Sequence, residues 1–398
     1  MLQFTIESTA LYGALRDLNR AIDKNASLPI LTNVYVCMDS TGRISMTAMW
    51  DSDIRMNTTL QASRCEGSGV FLANAEQLIN ALKGLPKQDV TLTCERDELR
   101  IKYEGGSIAF LVVTDDEEVK KFPFITRTDS DIRIIMRGKI LVDGIASVQF
   151  AVGKDTTKPV MTGVLMERIG DRLTFNASDG HILKFLDYKI ESSSDFRAII
   201  PTRVCDIIRA TIKSGSQVFM QLTDTHIYLD YDNTLLDARL IEGKYPNYRG
   251  VVPKSNPHHI EVDRLTLLNC IKRVSLFANS TSKLVELCYK EDKLSVSGRD
   301  DDLFTRAMTE SIDVAKAWSD DASGIPEPLR IGLSATFLTS LLMNFGEDSV
   351  ELQILDNSCA VVFSGDSSTT LLMPMMLDEH KEDKPTPTPE TEEDDDED

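Results

Sequence analysis

The feature that most constrains the fold of this chain is a repeat of amphipathic helices. Six segments place apolar residues at three- and four-residue steps, the spacing of one buried helix face, and they fall into three pairs. The first members read STALYGALRDLNRAI from Ser8, RGKILVDGIASVQFAV from Arg137 and DRLTLLNCIKRVSLFA from Asp263, so their starts lie 129 and 126 residues apart. The second members, NAEQLINALKGLP from Asn74, TRVCDIIRATIKSG from Thr202 and SATFLTSLLMNFG from Ser334, follow at 66, 65 and 71 residues. Each of these is opened by a residue able to cap free helix N–H groups. A period of this size implies one structural unit used three times.

Between the helices the chain alternates apolar and polar residues in short runs broken by turn residues, as antiparallel strands do. DELRIKYEGGSIAFLVV is an example in which Gly105-Gly106 fits a two-residue hairpin turn. RLTFNASDGHILKFLDYKI, QVFMQLTDTHIYLDY and KLVELCYKEDKLSVSG repeat the pattern. Many strands and two helices per unit predict an α+β fold of three repeated domains. Pro and Ser interrupt the apolar rhythm near Arg127 to Asp131 and near Pro253 to His259. The expected domains are therefore 1–127, 128–255 and 256–378, with a polar acidic tail over 379–398.

The tail decides how the charge is read. Residues 378–398 hold twelve acids against Lys381 and Lys384, half of the formal charge of -20. Such a block cannot bury apolar surface. An acidic body argues against holding nucleic acid by affinity alone. Cations nevertheless recur around the helices: Arg16, Arg20 and Lys24 at four-residue steps opposite Leu11, Leu15, Leu18 and Ile22 on the first, Lys83 and Lys87 around the second, Arg203, Arg209 and Lys213 on the fourth, Lys272 and Arg273 on the fifth. Surface helices carry such residues for solvation alone, so the stripes gain meaning only from the architecture. Six helix pairs lining a hole would need only modest cationic faces, because a closed ring holds DNA by topology.

Other classes are disfavoured. The seven cysteines are scattered without CxxC pairs and read as reduced core residues. His258-His259 has no ligand partners at metal spacing and reads as an exposed linker feature, so no metal site or cofactor is expected. There is no phosphate-cradling loop, GxSxG elbow or HExxH helix. The residual catalytic candidate, Asp179 with His181 and a distant Ser or Cys, lies in a turn. No charged-then-apolar leader and no apolar run near the roughly 18 residues of a bilayer span is present, which predicts a cytoplasmic protein without membrane association. A β-rich scaffold that binds proteins without encircling DNA remains the alternative.

LLDARLIEGKYPNYRGVVP, from Leu235 to Pro253, closely resembles the most recognisable segment of the bacterial DNA polymerase III β subunit family, the β sliding clamps. SLPIL at Ser27, LKGLP at Leu82, KFPFI at Lys121, ASDGHILK at Ala177 and LLMPMML at Leu371 agree in order and spacing, so the resemblance covers residues 1 to about 377. It implies a non-catalytic processivity factor: three clamp domains paired head to tail with a second copy into a ring of six, helices inside and sheets outside, around duplex DNA. Implied partners are the replicative polymerase, the clamp loader and repair and translesion polymerases, which dock peptides resembling Gln-Leu-x-Leu-Phe. Carried over, the groove would involve Met161, Ser178, Gly180, His181, Leu183, Pro246, Val251, Met373, Pro374 and Met375. Methionines suit varied apolar anchors, although core packing and a structural turn at Asp179-Gly180 compete for these residues. Ile182, Gly250 and Met376 stand where the family often has Arg, and Val160 where a Tyr can occur, implying a less cationic groove. Leu276 and Phe277 match interface positions, and the edge of the Tyr103 to Phe110 hairpin is expected opposite them. Lys24 and Arg203 are the foremost DNA contacts, with Arg16, Arg20, Lys83, Arg209 and Lys213 around them. Family chains usually stop near the MPM segment, so the acidic tail is expected to screen the groove or occupy it transiently.

Overall fold

The computed structural model describes residues 2–124, 126–130, 132–190, 194–300, 307–365 and 368–377. The expected acidic tail and Asp131 lie outside them. The chain forms two compact units, Met1–Val252 with Ser364–Leu371, and Pro253–Phe363 with the residues from Leu372 onward.

The first unit holds helices α1 (Ser8–Leu18), α2 (Ala75–Leu82), α3 (Asp116–Val119), α4 (Gly138–Val148) and α5 (Thr202–Thr211); the second holds α6 (Arg264–Val274) and α7 (Ala335–Met343). Each of the six long helices follows directly on a lead strand, and each lead strand is flanked by a three-strand antiparallel meander. Sheet 1a runs Leu2–Glu7, Asp89–Glu95, Glu98–Tyr103, Gly106–Leu111; sheet 1b runs Gly69–Asn74, Asn33–Met38, Arg43–Trp50, Ile54–Gln61. Sheet 2a runs Ile132–Arg137, Gln217–Leu222, His226–Tyr231, Thr234–Arg239; sheet 2b runs Phe196–Pro201, Gly163–Ile169, Arg172–Ser178, Ile182–Lys189. In the second unit, sheet 3b runs Leu329–Ser334, Leu284–Lys290, Lys293–Gly298, Met308–Asp313. Sheet 3a there has His258–Asp263 between Lys316–Ser319 and Ser349–Ile354. The meander after each helix joins the lead strand of its domain's other helix, so the two halves of a domain are interlocked.

Sheets 1b and 2a merge in the first unit. Ile54–Gln61 pairs antiparallel with Thr234–Arg239, with Met56 opposite Leu236 and Arg55 opposite Asp237. The final strand of sheet 2b, Ile182–Lys189, is likewise met by Ser368–Leu372, whose residues to Leu371 belong to the same unit. Two final meander strands, Gly106–Leu111 and Met308–Asp313, end their sheets with one edge unpaired among the described residues.

Burial explains the helix faces. Leu11 and Leu15 of α1 and Leu78 of α2 line one interior space with Phe4, Leu92 and Leu99 of sheet 1a and Val36, Met46 and Phe71 of sheet 1b. The apolar stripe thus joins both sheets of a domain to one helix pair, which supplies most of the driving force for folding. Gly144 lets α4 lie close to sheet 2b, since a Cβ there would stand 2.4 Å from the Phe175 ring. No helix among the described residues is long and apolar enough to cross a membrane.

Several local expectations are corrected. The two-residue turn of the first hairpin is Glu104-Gly105, because Tyr103 pairs with Gly106, and Gly105 takes the positive φ of 89°. Asn74 caps α2 by accepting from the Gln77 amide at 3.1 Å. Thr202 instead donates its hydroxyl to the Thr162 carbonyl at 2.7 Å, and Ser334 makes no side-chain cap bond. α3, capped by Asp115, is an additional short helix. His258 and His259 are not linker residues: they open a strand, His258 is buried, and His259 stacks on Trp318 at 4.7 Å. Cys65 is exposed rather than a core residue, while Cys37, Cys288 and Cys359 are only half-buried.

Candidate partner groove and DNA-facing helices

In the first unit the groove candidates gather around one loop and one turn. The Asp179-Gly180 turn is held by its own side chains: the Asp179 carboxylate accepts from the His181 and Ile182 amides at 2.8 and 2.9 Å, and the Ser178 hydroxyl donates to the Ile182 carbonyl at 2.9 Å. Gly180 has a φ of 97°, a conformation that favours glycine. Met161 ends a 3₁₀ turn whose carbonyl accepts from the Gly153 amide at 2.8 Å, and its Sδ-methyl reaches the Gly180 position. The segment 240–252 closes over this corner, with Gly243 against Val160. Burial, with help from Asp179, raises the Tyr245 phenol above its ordinary range, so this side chain stays neutral beside Ser178. Leu183 is buried, His181 and Pro246 are exposed, and Val251 is 60% exposed. The structure therefore brings Met161, Ser178, Gly180, His181 and the 240–252 segment to one corner. Val251 there is an uncovered apolar side chain. The carboxylate of Asp179 is committed to backbone amides, which leaves little of it for general-base work.

Met373, Pro374 and Met375 belong to the second unit. Met375 bridges to Gly332, its amide donating to the Gly332 carbonyl at 2.8 Å. A side chain at 332 would collide with the Met375 carbonyl at 2.6 Å, so glycine is what admits this segment. Met373 and Met376 are exposed.

In the same unit, Leu276 is 80% exposed in the turn that follows α6, with Phe277 beside it. Arg273 of α6 forms an ion pair with Glu310 on the open strand Met308–Asp313, which ties the end of α6 to that strand. On the other open strand, where sequence reasoning names no interface residue, Leu111 is 82% exposed at its end. Alternation along Gly106–Leu111 was visible in the sequence; that this strand lies last in its sheet was not.

The cationic stripe is shorter than expected. α1 stops at Leu18, Arg20 lies in a 3₁₀ turn and Lys24 in the turn beyond it, so the three do not share one α-helical face. Lys83 follows the end of α2, and Lys213 that of α5. Arg16, Arg20, Lys24, Lys83, Arg203, Arg209 and Lys213 are nonetheless all exposed. Lys24 pairs with Glu76 at 3.3 Å. Arg203 lies 4.0 Å over the Trp50 ring and donates to the Arg20 carbonyl at 2.6 Å. These contacts draw α1 and α5 together and set their cations side by side within the first unit.

Three interlocked repeats, each with a helix pair over two antiparallel sheets, define the class of the DNA clamps. Family profiles described as the N-terminal, central and C-terminal domains of the DNA polymerase III beta subunit match residues 2–123, 136–247 and 249–376, and the chain belongs to that family, the beta sliding clamps. The beta sliding clamp of Synechococcus elongatus is 25% identical over 391 residues, covering 94% of this chain and all of that protein. That of Haemophilus influenzae is 23% identical over the same shares of both chains. In fold the chain is similar to a Pseudomonas aeruginosa sliding clamp structure, with a TM-score of 0.85 at 20% identity over 94% of this chain and all of that one. The Streptococcus pyogenes beta subunit gives the same values.

Proposed function

We propose that two copies of this chain close head to tail into a ring that encircles duplex DNA and tethers the replicative polymerase to it. The chain is a non-catalytic processivity factor of DNA replication, as its family membership implies. The observation that carries the geometry is the pair of open strands. Among the described residues, four of the six final meander strands are paired on both edges, and two, Gly106–Leu111 in the first repeat and Met308–Asp313 in the third, keep a free edge. Free edges of sheets invite pairing with another chain, and two such edges on each of two copies complete one closed ring. Leu111 and Leu276, with Phe277, supply apolar contacts at that junction.

An acidic protein suits this mode of binding, because topology retains the DNA while Arg16, Arg20, Lys24, Lys83, Arg203, Arg209 and Lys213 make weak, salt-sensitive contacts that permit sliding. Peptides of the polymerase, the clamp loader and the repair and translesion polymerases are received by the corner formed by Met161, Ser178, Gly180, His181, Leu183, Pro246 and Val251 in the first unit; Met373, Pro374 and Met375 are the candidate contacts of the second unit. The protein works in the cytoplasm, where replication takes place. The test is retention on nicked circular DNA after loading by a cognate clamp loader with ATP. Release only when the circle is linearised is expected. Retention that depends on salt but is indifferent to DNA ends would overturn the ring.

A further inference from the structure

Sheet 2b carries a polar row that a plain structural sheet has no need of. Arg197, Glu167, Thr174 and Asp187 stand opposite one another across its four strands. Glu167 and Thr174 are each only 2% exposed, and a buried carboxylate is costly unless every oxygen is bonded.

Two consecutive residues of the 240–252 segment lock onto this row. The Tyr248 hydroxyl donates to Glu167 Oε1 at 2.5 Å, while Arg197 Nε donates to Oε2 at 2.9 Å. The Arg249 guanidinium donates to Thr174 Oγ1 at 3.0 Å and to Asp187 Oδ1 at 3.2 Å, and Thr174 itself donates to Asp187 Oδ1 at 2.6 Å. Below them Phe185 packs 5.5 Å from the Tyr248 ring, and Arg249 lies over both rings. Burial and the Glu167 carboxylate push the Tyr248 phenol well above its ordinary range, so it remains a donor throughout the neutral range.

The pinned pair sits between the two exposed wall residues of the segment: Pro246 comes two positions before Tyr248 and Val251 two after Arg249. Ahead of Pro246 the segment is anchored by the Ile241 amide, which donates to the Ile199 carbonyl at 2.9 Å, and by the buried Tyr245; between the two walls the anchors are Tyr248 and Arg249. We propose that Glu167 is a positioning residue of the partner groove, holding the 240–252 segment through Tyr248 so that Pro246 and Val251 meet an incoming peptide as a preformed wall. This rests on the groove reading above. A wall ordered in advance spares the peptide the entropy of ordering it.

The test uses the full-length chain and a fluorescent peptide carrying Gln-Leu-Ser-Leu-Phe. Tyr248→Phe, which keeps the ring, and Glu167→Ala are each expected to weaken peptide binding about tenfold, the effect of one lost buried hydrogen bond. Hydrogen exchange over 241–252 should rise in both, with melting of the chain still cooperative and the dimer dissociation constant in sedimentation velocity unchanged. Glu167→Gln, which preserves an acceptor for the Tyr248 hydroxyl, should restore affinity to within about threefold of the original chain. Peptide affinity within twofold of the original in both Tyr248→Phe and Glu167→Ala would overturn the positioning role while leaving the groove intact. An original chain that fails to bind the peptide would overturn the groove itself and this role with it. A weaker dimer, or melting that loses its cooperativity, in parallel with the loss of peptide binding would reduce Glu167 to general stability.

Discussion

Asp237 shows how much one side chain can hold. It has no exposed surface, stands opposite Arg55 in the ladder that joins sheets 1b and 2a, and accepts from Arg55 Nε and Arg127 Nε, each at 2.8 Å. Arg127 belongs to the connection between the first two helix pairs, so one carboxylate fastens both the sheet junction and the connecting chain. Removing one partner of a buried ion cluster leaves the remaining charges desolvated and unmatched, at a cost of about 3–5 kcal/mol. Asp237→Ala should therefore lower the urea midpoint of the full-length chain by that much free energy, with peptide affinity changed only in proportion to unfolding. A change below about 1 kcal/mol would mean that water replaces the carboxylate, as it does at surface pairs.

At the scale of the element, helix ends govern pH response. The Thr266 hydroxyl and then its amide hold the Asp263 carboxyl at the start of α6 below the usual carboxylate range. A carboxyl whose pKa falls on folding stabilises the fold above its ordinary value, and that contribution is lost as the pH drops through the lowered folded value. Asp263→Asn keeps an oxygen at the cap but has no charge to titrate. Thermal unfolding between about pH 3 and pH 7 should show the variant equal to the original chain at the acid end and less stable near neutrality. A constant difference across that range would assign the cap to hydrogen bonding alone.

At the scale of the whole molecule, the open edges and the tail lead to two expectations. Burying Leu276 against a second copy makes an introduced charge expensive, so Leu276→Asp should raise the dimer dissociation constant at least about tenfold in sedimentation velocity, and Leu111→Asp should do the same. Dimers of unchanged strength in both would move the junction elsewhere. The tail, with half the formal negative charge of the chain in 378–398, repels acidic ligands over a Debye length of about 10 Å at 0.1 M salt. Deleting 379–398 should strengthen binding of an acidic partner peptide at low salt, with the gain shrinking as salt rises. Equal affinity at low and physiological salt would exclude a gating role.

The three helix pairs and the strand-rich α+β units are legible in the chain alone, because burial on one helix face and alternation along a strand are local patterns that survive in one dimension. So is the family, through the segment from Leu235 to Pro253. Helix ends were less legible: the periodic apolar residues continue to Ile22, whereas α1 stops at Leu18, and Thr202 gives its hydroxyl to a neighbouring strand rather than to its own helix. His258 looked like linker because Pro and Ser precede it, but pairing with Ile354 makes it strand. Register and strand order, by contrast, come from long-range pairing. Glu167, Thr174, Asp187 and Arg197 are spread over 31 residues of sequence and become one row only when four strands align, just as Asp237 finds Arg55 across 182 positions. Which final meander strands remain at an edge is equally a property of the assembled sheets, since among the described residues long-range pairing covers four of the six and leaves Gly106–Leu111 and Met308–Asp313 open.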